Sequence, residues 1–334
     1  MTIGRRRALI ILALTACPAS AGSTYLALGD SLAWGYEKFS LDLAPNAGDQ
    51  GYVSIYADHL ATQNAGVRPN LVNLGVPQET SSSFFTGGQL GQLLNTNYPG
   101  QGTPSQHDLM LATIADQHAL GNTIDHVTMH LGVNDFLSLA DGDFLNLPPD
   151  QQFGQVLLVF DDMITNLRAT LTDLTTMAPE ADVMVMGYYD PFALFVDHPE
   201  LDPSPTGDGV LLSGISGDIA PLLNDVLEAL AGEYDATFVP IADLFAGREA
   251  ELTLITELDR GSPNIHPNQL GYQTIADALI AIPAPGTGVV LAGFGVVATR
   301  RRRSSQPSAR TITACGPTLS ISNTSPRTSN PSRS

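Results

Sequence analysis

Four residues of this 334-residue chain have the types that acyl transfer through a serine requires, although they lie far apart in the sequence. Ser31 carries a hydroxyl that becomes a nucleophile when a base removes its proton, and His266 is a candidate for that base because imidazole titrates near neutral pH. Attack on a carbonyl carbon generates an oxyanion, which backbone N–H groups and side-chain amides stabilise. Gly75, where the backbone can be approached closely, and Asn134 are candidates for this second task.

Each of the four residues, taken alone, also has a purely structural explanation. A serine at this point is suited to cap a helix, glycine and asparagine are typical of turns, and many histidines only fill a core. The elements predicted around the four residues must therefore decide between the two explanations.

Three short apolar runs end at or just before Ser31, Gly75 and Asn134. They predict strands over residues 25–28, 69–74 and 125–131. His266 lies in the loop before the last predicted helix, 268–280. Because the carboxyl ends of parallel strands lie on one edge of a sheet, we expect the four residues to converge there.

Predicted strands and helices alternate along residues 22–282 without a linker or an internal repeat. This alternation indicates one α/β domain with a mostly parallel sheet. A long connection is expected at 80–104, with one short helical piece at 89–94, and connections of this kind often shape a substrate entrance. The remaining strands are expected at 182–187 and 236–241, and the remaining helices at 51–64, 106–120, 150–177 and 213–234.

The four residues stand in blocks that resemble those of the SGNH (GDSL-type) hydrolases in order and spacing, over roughly residues 23–282. The blocks are Gly29-Asp30-Ser31-Leu32, Gly75, Gly132-Val133-Asn134-Asp135 and His266-Pro267-Asn268. The resemblance implies a flavodoxin-like three-layer α/β/α fold and ester hydrolysis without a metal or a cofactor. It also implies that Ser31 is the nucleophile and His266 the general base. The oxyanion hole would then consist of the backbone N–H groups of Ser31 and Gly75 and the side-chain amide of Asn134.

The chain departs from the family pattern three residues before the histidine. Pro263 stands where the family usually has an aspartate that orients the imidazole and stabilises its protonated form. Two replacements remain open. Either the backbone carbonyl of Pro263 or of a neighbour accepts the proton on Nδ1, or Asp259 folds back through the flexible segment 260–262. Since a carbonyl dipole stabilises imidazolium less than a carboxylate does, we expect slower turnover or a higher pH optimum than with a complete triad.

The charges of the chain are segregated along the sequence. All 34 acidic residues lie between Gly22 and Ile282, where only five basic residues accompany them. A region this acidic lacks the basic face that phosphate contacts need, so a nucleic-acid partner is excluded. Cys17 and Cys315 both lie outside this region, which therefore contains neither a disulfide nor a cysteine-based metal site.

Residues 1–21 have the layout of a secretory signal peptide. Arg5–Arg7 precede a short apolar stretch, and Ala19-Ser20-Ala21 forms an Ala-x-Ala cleavage site. The apolar stretch is shorter than the ~20 residues that span a membrane. We expect export and cleavage by a signal peptidase after Ala21. The alternative is lipidation of Cys17, which ends a lipobox-like stretch at 14–17.

Residues 283–303 resemble a PEP-CTERM sorting signal, which exosortases of Gram-negative bacteria recognise. Pro283-Ala284-Pro285, in place of the usual Pro-Glu-Pro, is followed by an apolar run and by Arg300–Arg303. The basic cluster would remain cytoplasmic during transfer; an ordinary weak membrane anchor is the alternative. Residues 304–334 continue past the point where such a signal normally ends, and their Ser, Thr, Pro and Arg content predicts disorder.

The sequence as a whole predicts an exported serine esterase or lipase-type hydrolase at the cell surface, in the outer envelope or outside the cell. Its expected substrate is an ester of a lipid or of an acylated carbohydrate. An O-acyltransferase or deacetylase acting on surface polysaccharide would use the same residues. A non-catalytic surface or matrix protein would keep only the fold. No motif in the sequence specifies the acyl chain length or the alcohol.

Overall fold

The central sheet is built from five strands. They are β1 Ser23–Gly29, β2 Asn70–Asn73, β3 Thr123–His130, β4 Asp182–Met186 and β5 Thr237–Val239. All pair in parallel, in the order β2-β1-β3-β4-β5. This is the strand order of a flavodoxin-like sheet, so the predicted α/β fold is confirmed.

The computed structural model describes residues 22–40, 43–100, 104–137, 139, 144 and 147–282. The predicted signal segment 1–21, the sorting segment 283–303 and the tail 304–334 lie outside these residues.

Helices flank the sheet. Among the described residues the α-helices are α1 Ser31–Trp34, α2 Gly51–Gln63, α3 Ser81–Thr86, α4 Gln106–Ala119, α5 Val133–Leu137, α6 Pro149–Met177, α7 Leu194–Asp197, α8 Asp208–Glu233, α9 Ala242–Phe245, α10 Glu249–Leu252 and α11 Gln269–Ile280. Helix α2 packs against α11, the helices α3, α4 and α6 pack against one another, and α8 packs on β4 and β5. These helices cover the sheet and give the layered arrangement.

Burial of β1 explains the apolar run that predicts it. The side chains of residues 25–28 are fully buried, so both faces of the strand are covered, as an internal parallel strand requires. The Tyr25 ring packs edge-on against Tyr56 of α2 at 5.4 Å, and its hydroxyl lies 2.8 Å from the hydroxyl of Thr128 on β3. These contacts hold β1 between α2 and β3, and Ser31 lies two residues after the end of the strand.

The structure differs from the predicted elements at several places, among them the connection 80–104, the start of α8 and residues 258–263. The connection 80–104 contains α3 as well as the expected short piece, a 3₁₀ helix at Leu90–Leu94. Thr80 caps α3 through reciprocal hydrogen bonds with Ser83. The stretch was predicted as a loop because it is rich in serine. Helix α8 begins five residues earlier than its periodicity predicts, and β6 Leu258–Asp259 and β7 Ser262–Pro263 form an unexpected hairpin.

Candidate active site

Ser31 lies at the end of β1, in a tight turn that leads into α1. Gly29 has a φ of +134°, and a Cβ at this position would overlap the carbonyl oxygen of His130 on β3, so only glycine fits. Asp30 caps α1, since its carboxylate accepts a hydrogen bond from the Leu32 N–H at 2.9 Å. The turn thus fixes the direction in which Ser31 leaves the sheet.

A buried polar network, which the sequence did not reveal, supports this turn. Gln106 of α4 pairs with the backbone of Gly29 through both ends of its amide, accepting from N–H at 2.6 Å and donating to the carbonyl at 2.9 Å. The same amide nitrogen donates to the Glu79 carboxylate at 3.0 Å, and the Tyr188 hydroxyl donates to Asp30 at 2.7 Å. Burial raises the pKa of both carboxyls, Asp30 and Glu79, to about 7.

His266 contacts Ser31 across 235 residues of sequence: its Nε2 atom lies 3.0 Å from Ser31 Oγ. The loop before α11 positions the ring. Asn268 caps α11 by accepting from the Gly271 N–H at 3.0 Å, and the His266 carbonyl accepts from the Leu254 N–H at 2.9 Å. The predicted approach of the base to the nucleophile is therefore present in the fold.

Asn264 orients the imidazole. Its Oδ1 atom lies 2.8 Å from His266 Nδ1 and also accepts from the backbone N–H of His266 at 3.2 Å. Its Nδ2 atom donates to the Glu37 carbonyl at 2.9 Å, which fixes the end of the amide that faces the ring. An amide oxygen only accepts, so this network assigns the proton to Nδ1 and leaves Nε2 with a lone pair directed at Ser31.

Neither acceptor predicted for the Nδ1 proton occupies that place, so this prediction is corrected. Pro263 belongs to β7, and the Asp259 carboxylate accepts instead from the Tyr36 hydroxyl at 2.9 Å and the Phe39 N–H at 3.0 Å. Those partners hold Asp259 at the hairpin, whereas Asn264 lies only two residues before the histidine. The signal available in the sequence was the position of Asn264, whose side-chain amide oxygen can accept the Nδ1 hydrogen bond in place of the missing aspartate.

Burial also sets the protonation state of the base. It lowers the pKa of His266 to about 4, while the Asp259 carboxylate opposes this shift and the charge of Arg260 reinforces it. At neutral pH the imidazole is therefore uncharged and ready to accept a proton.

Asn134 belongs to α5, which follows β3 directly, and it borders the same cavity as Ser31 and His266. Its Nδ2 atom donates to the Glu79 carbonyl at 2.9 Å. A side-chain amide nitrogen carries two hydrogens, so a second one remains for a ligand. The neighbouring Asp135 accepts from the backbone N–H and hydroxyl of residue 81 and thereby ties this turn to α3.

Gly75, the predicted oxyanion donor, is not among the described residues that line the cavity. Its N–H already donates to Asn73 Oδ1 at 2.8 Å. A Cβ at this position would lie 2.7 Å from the backbone nitrogen of Trp34, so close packing behind the nucleophile turn requires the glycine. The prediction of a donor role for Gly75 is therefore corrected to a packing role.

Gln78 borders the cavity on the same loop and has a φ of +71°. Within the described part of the chain, hydrogen-bond acceptors are absent for its backbone N–H, and the same holds for the N–H of Ser31. The left-handed conformation costs a residue with a side chain roughly 1–2 kcal/mol, and such strain clusters at functional sites. Sequence reasoning missed Gln78 because this conformation is usually marked by glycine.

A cavity of about 590 Å³ collects Ser31, Asn134 and His266. Its other polar lining residues are Tyr36, Gln78, Thr80, Gln89, Asp259, Arg260, Ser262 and Asn264. Among the described residues, groups of three His, Cys, Asp or Glu side chains placed to hold a metal ion are absent. The cavity thus offers a neutral base, a hydroxyl nucleophile and three candidate oxyanion donors.

Comparison with known proteins identifies a family. Among solved structures, the chain is similar to Axe2, an acetylxylan esterase from Geobacillus stearothermophilus, at 15% identity, 78% coverage of this chain, 93% of that chain and a TM-score of 0.45. It is also similar to LAE5, an α/β hydrolase enzyme from the metagenome of Lake Arreo, Spain, at 20% identity, 78% and 94% coverage and a TM-score of 0.43. None of the curated proteins matches the chain. A family model described as the GDSL-like Lipase/Acylhydrolase family matches residues 27–274.

Proposed function

This chain belongs to the GDSL-like lipase/acylhydrolase family and is an ester-cleaving hydrolase, and we propose that it acts as a serine esterase through an acyl-enzyme on Ser31. The observation that carries the mechanism is the hydrogen-bonded row from Ser31 Oγ through His266 to Asn264 Oδ1. The experiment that tests it compares ester hydrolysis by the full chain with that of its Ser31→Ala variant.

In the acylation step, Ser31 Oγ forms a bond to the ester carbonyl carbon while His266 Nε2 takes the hydroxyl proton. The carbonyl electron pair moves onto its oxygen. When the intermediate collapses, the bond to the alcohol oxygen breaks and the alcohol leaves with the proton from Nε2. Water then attacks the acyl carbon with His266 again as base, Ser31 regains its proton, and the carboxylic acid is released.

The oxyanion that forms in both steps needs hydrogen-bond donors that point at the carbonyl oxygen. We assign this role to the backbone N–H groups of Ser31 and Gln78 and to the Asn134 amide. All three residues border the cavity, and each of these groups has an N–H hydrogen without an acceptor among the described residues. Loss of one such donor typically lowers kcat by roughly 10²–10³-fold.

Exchanging Gln78 for glycine separates a backbone role from a side-chain role. Gln78→Gly keeps the N–H and relieves the left-handed strain, so we expect kcat within about threefold of wild type and stability unchanged or higher by up to about 1 kcal/mol. Asn134→Ala, which removes a side-chain donor, is expected to lose roughly 10²–10³-fold in kcat. Steady-state kinetics and thermal unfolding check both variants. A loss in Gln78→Gly as large as in Asn134→Ala would contradict the backbone assignment.

Export of the enzyme to the cell surface is part of the proposal, on the basis of residues 1–21 and 283–303. Mass spectrometry of the mature protein is expected to find Gly22 as the first residue after cleavage by a signal peptidase. A mature chain that begins with a lipidated Cys17 would support the lipoprotein alternative, and an uncleaved chain would contradict export by this segment.

A further inference from the structure

Glu79 is a fully buried residue at the point where the segments that carry the three assigned oxyanion donors meet. It directly follows Gln78 in the chain. Its backbone carbonyl accepts a hydrogen bond from Asn134 Nδ2 at 2.9 Å. Its side chain contacts Gln106, which pairs with the backbone of Gly29 in the nucleophile turn. Glu79 thus contacts all three segments, two of them directly and the third through one side chain.

The backbone of Gly29 fixes the orientation of the Gln106 amide. A backbone N–H only donates, so the amide end that lies 2.6 Å from it is the oxygen Oε1, and the other end is the nitrogen Nε2. The two hydrogens of Nε2 then go to the Gly29 carbonyl at 2.9 Å and to Glu79 Oε2 at 3.0 Å. Because Gln106 is itself fully buried, replacing Glu79 by an apolar residue would leave the second hydrogen without this acceptor.

The other carboxyl oxygen of Glu79 joins it to α3. Ser83 Oγ donates to this oxygen, and Ser83 also forms the reciprocal cap of α3 with Thr80. Both ends of the carboxyl group are therefore hydrogen-bonded, and its rotation would break a buried hydrogen bond. Removing a carboxyl group from water costs free energy, and such buried titratable groups cluster at functional sites.

We propose that Glu79, acting through Gln106, is a positioning residue that holds the three oxyanion donors in one arrangement. The inference rests on the proposed serine-esterase function. Glu79 is not among the residues that line the catalytic cavity, so it acts through its neighbours and not on the substrate. Donors that are held in place stabilise the oxyanion more than they stabilise the bound ester, so loss of Glu79 should lower kcat and leave KM nearly unchanged.

The test measures kcat and KM of the full chain on p-nitrophenyl acetate. Glu79→Met removes both acceptors at similar side-chain volume, and we expect kcat to fall by about 10- to 100-fold, as a misplaced group typically causes. KM should change by less than about threefold, since the affected contact forms in the transition state.

Two further variants show whether the contact with Gln106 carries the effect. Gln106→Leu removes the same contact from the other side and should lower kcat as much as Glu79→Met does. The double variant should lose no more than either single one, because the two residues act through one contact. Glu79→Gln, whose amide oxygen can still accept from Gln106, should recover most of the loss.

Tyr25→Phe is the matched control. Tyr25 is fully buried on β1, the strand of Gly29, and its hydroxyl lies 2.8 Å from that of Thr128, away from the donors. Its removal should lower Tm but leave kcat and KM at wild-type values. Labelling of Ser31 by an organophosphonate, whose phosphoryl oxygen must occupy the same oxyanion hole, should be slowed in Glu79→Met and Gln106→Leu and unchanged in Tyr25→Phe.

Three outcomes would overturn the positioning role while the esterase function stands. Folded Glu79→Met and Gln106→Leu might keep wild-type kcat or change only KM. The loss in the double variant might equal the product of the two single losses. Glu79→Gln might be as slow as Glu79→Met. A folded wild-type protein that does not hydrolyse p-nitrophenyl acetate would instead overturn the proposed function.

Discussion

Replacing Ser31 by alanine is expected to lower kcat for p-nitrophenyl esters by roughly 10⁴–10⁶-fold. The hydroxyl is the only group in the proposed mechanism that bonds to the acyl carbon, and binding together with the oxyanion donors can support no more than a slow attack by water. Among the described residues this hydroxyl has a single hydrogen-bond partner, His266, so its removal should leave the fold intact. The loss therefore reports chemistry and not unfolding.

The control for this variant is Ser82→Ala, an exposed serine on α3 outside the cavity, which should retain wild-type kinetics. A second readout is covalent labelling: an organophosphonate should inactivate the wild type with one adduct on Ser31 and leave Ser31→Ala unlabelled. Equal activity in Ser31→Ala and wild type, or an adduct on another residue, would refute the nucleophile assignment.

Removing the amide of Asn264 is expected to have the next largest effect. In Asn264→Leu the proton on Nδ1 loses its acceptor, so the imidazole no longer holds one tautomer and one orientation towards Ser31. We expect kcat to fall by roughly 10²-fold or more, up to the ~10⁴-fold seen when an orienting group enforces the wrong tautomer. Asp259→Asn is the control, because its carboxylate contacts Tyr36 and Phe39; it should lose less than tenfold.

The pH profile provides a separate readout of the same contact. A base that must be neutral works only above its pKa, so wild-type kcat/KM should stay level from pH 7 to about 5 and decline tenfold per unit below about 4. A carboxylate in Asn264→Asp would stabilise imidazolium and raise the pKa of His266, which moves this decline to higher pH. Circular dichroism at each pH separates the decline from unfolding. An unshifted profile in Asn264→Asp, or a large loss in Asp259→Asn, would assign the orienting role to Asp259 instead.

The strand prediction succeeded because parallel strands buried on both faces need continuous apolar runs. Residues 25–28 are such a run, and β1 follows it closely. The short elements were harder to predict. Asp259 in the hairpin is held by Tyr36 and Phe39, which lie more than 200 residues earlier in the chain, with separations of 223 and 220 residues. The Val210 N–H in the first turn of α8 donates to Asp202, which lies outside the helix. Periodicity carries no information about such neighbours.

The sequence by itself determined the residues whose chemistry is specific to their type. Ser31 and His266 are recognisable because few side chains can serve as nucleophile and base, and their positions at the strand end and before the last helix bring them together in any sheet of this order. The 3.0 Å contact between their side chains agrees with that reasoning. Asn134 was predicted in the same way and borders the same cavity.

Only the tertiary structure decided which groups serve these residues. A hydrogen-bond acceptor or a backbone donor can come from almost any residue, so residue type did not single out Asn264 or Gln78. For the same reason the oxyanion donor was predicted at Gly75, whose N–H is already bonded to Asn73. Such features depend on distances and directions between elements, which are fixed only when the chain packs.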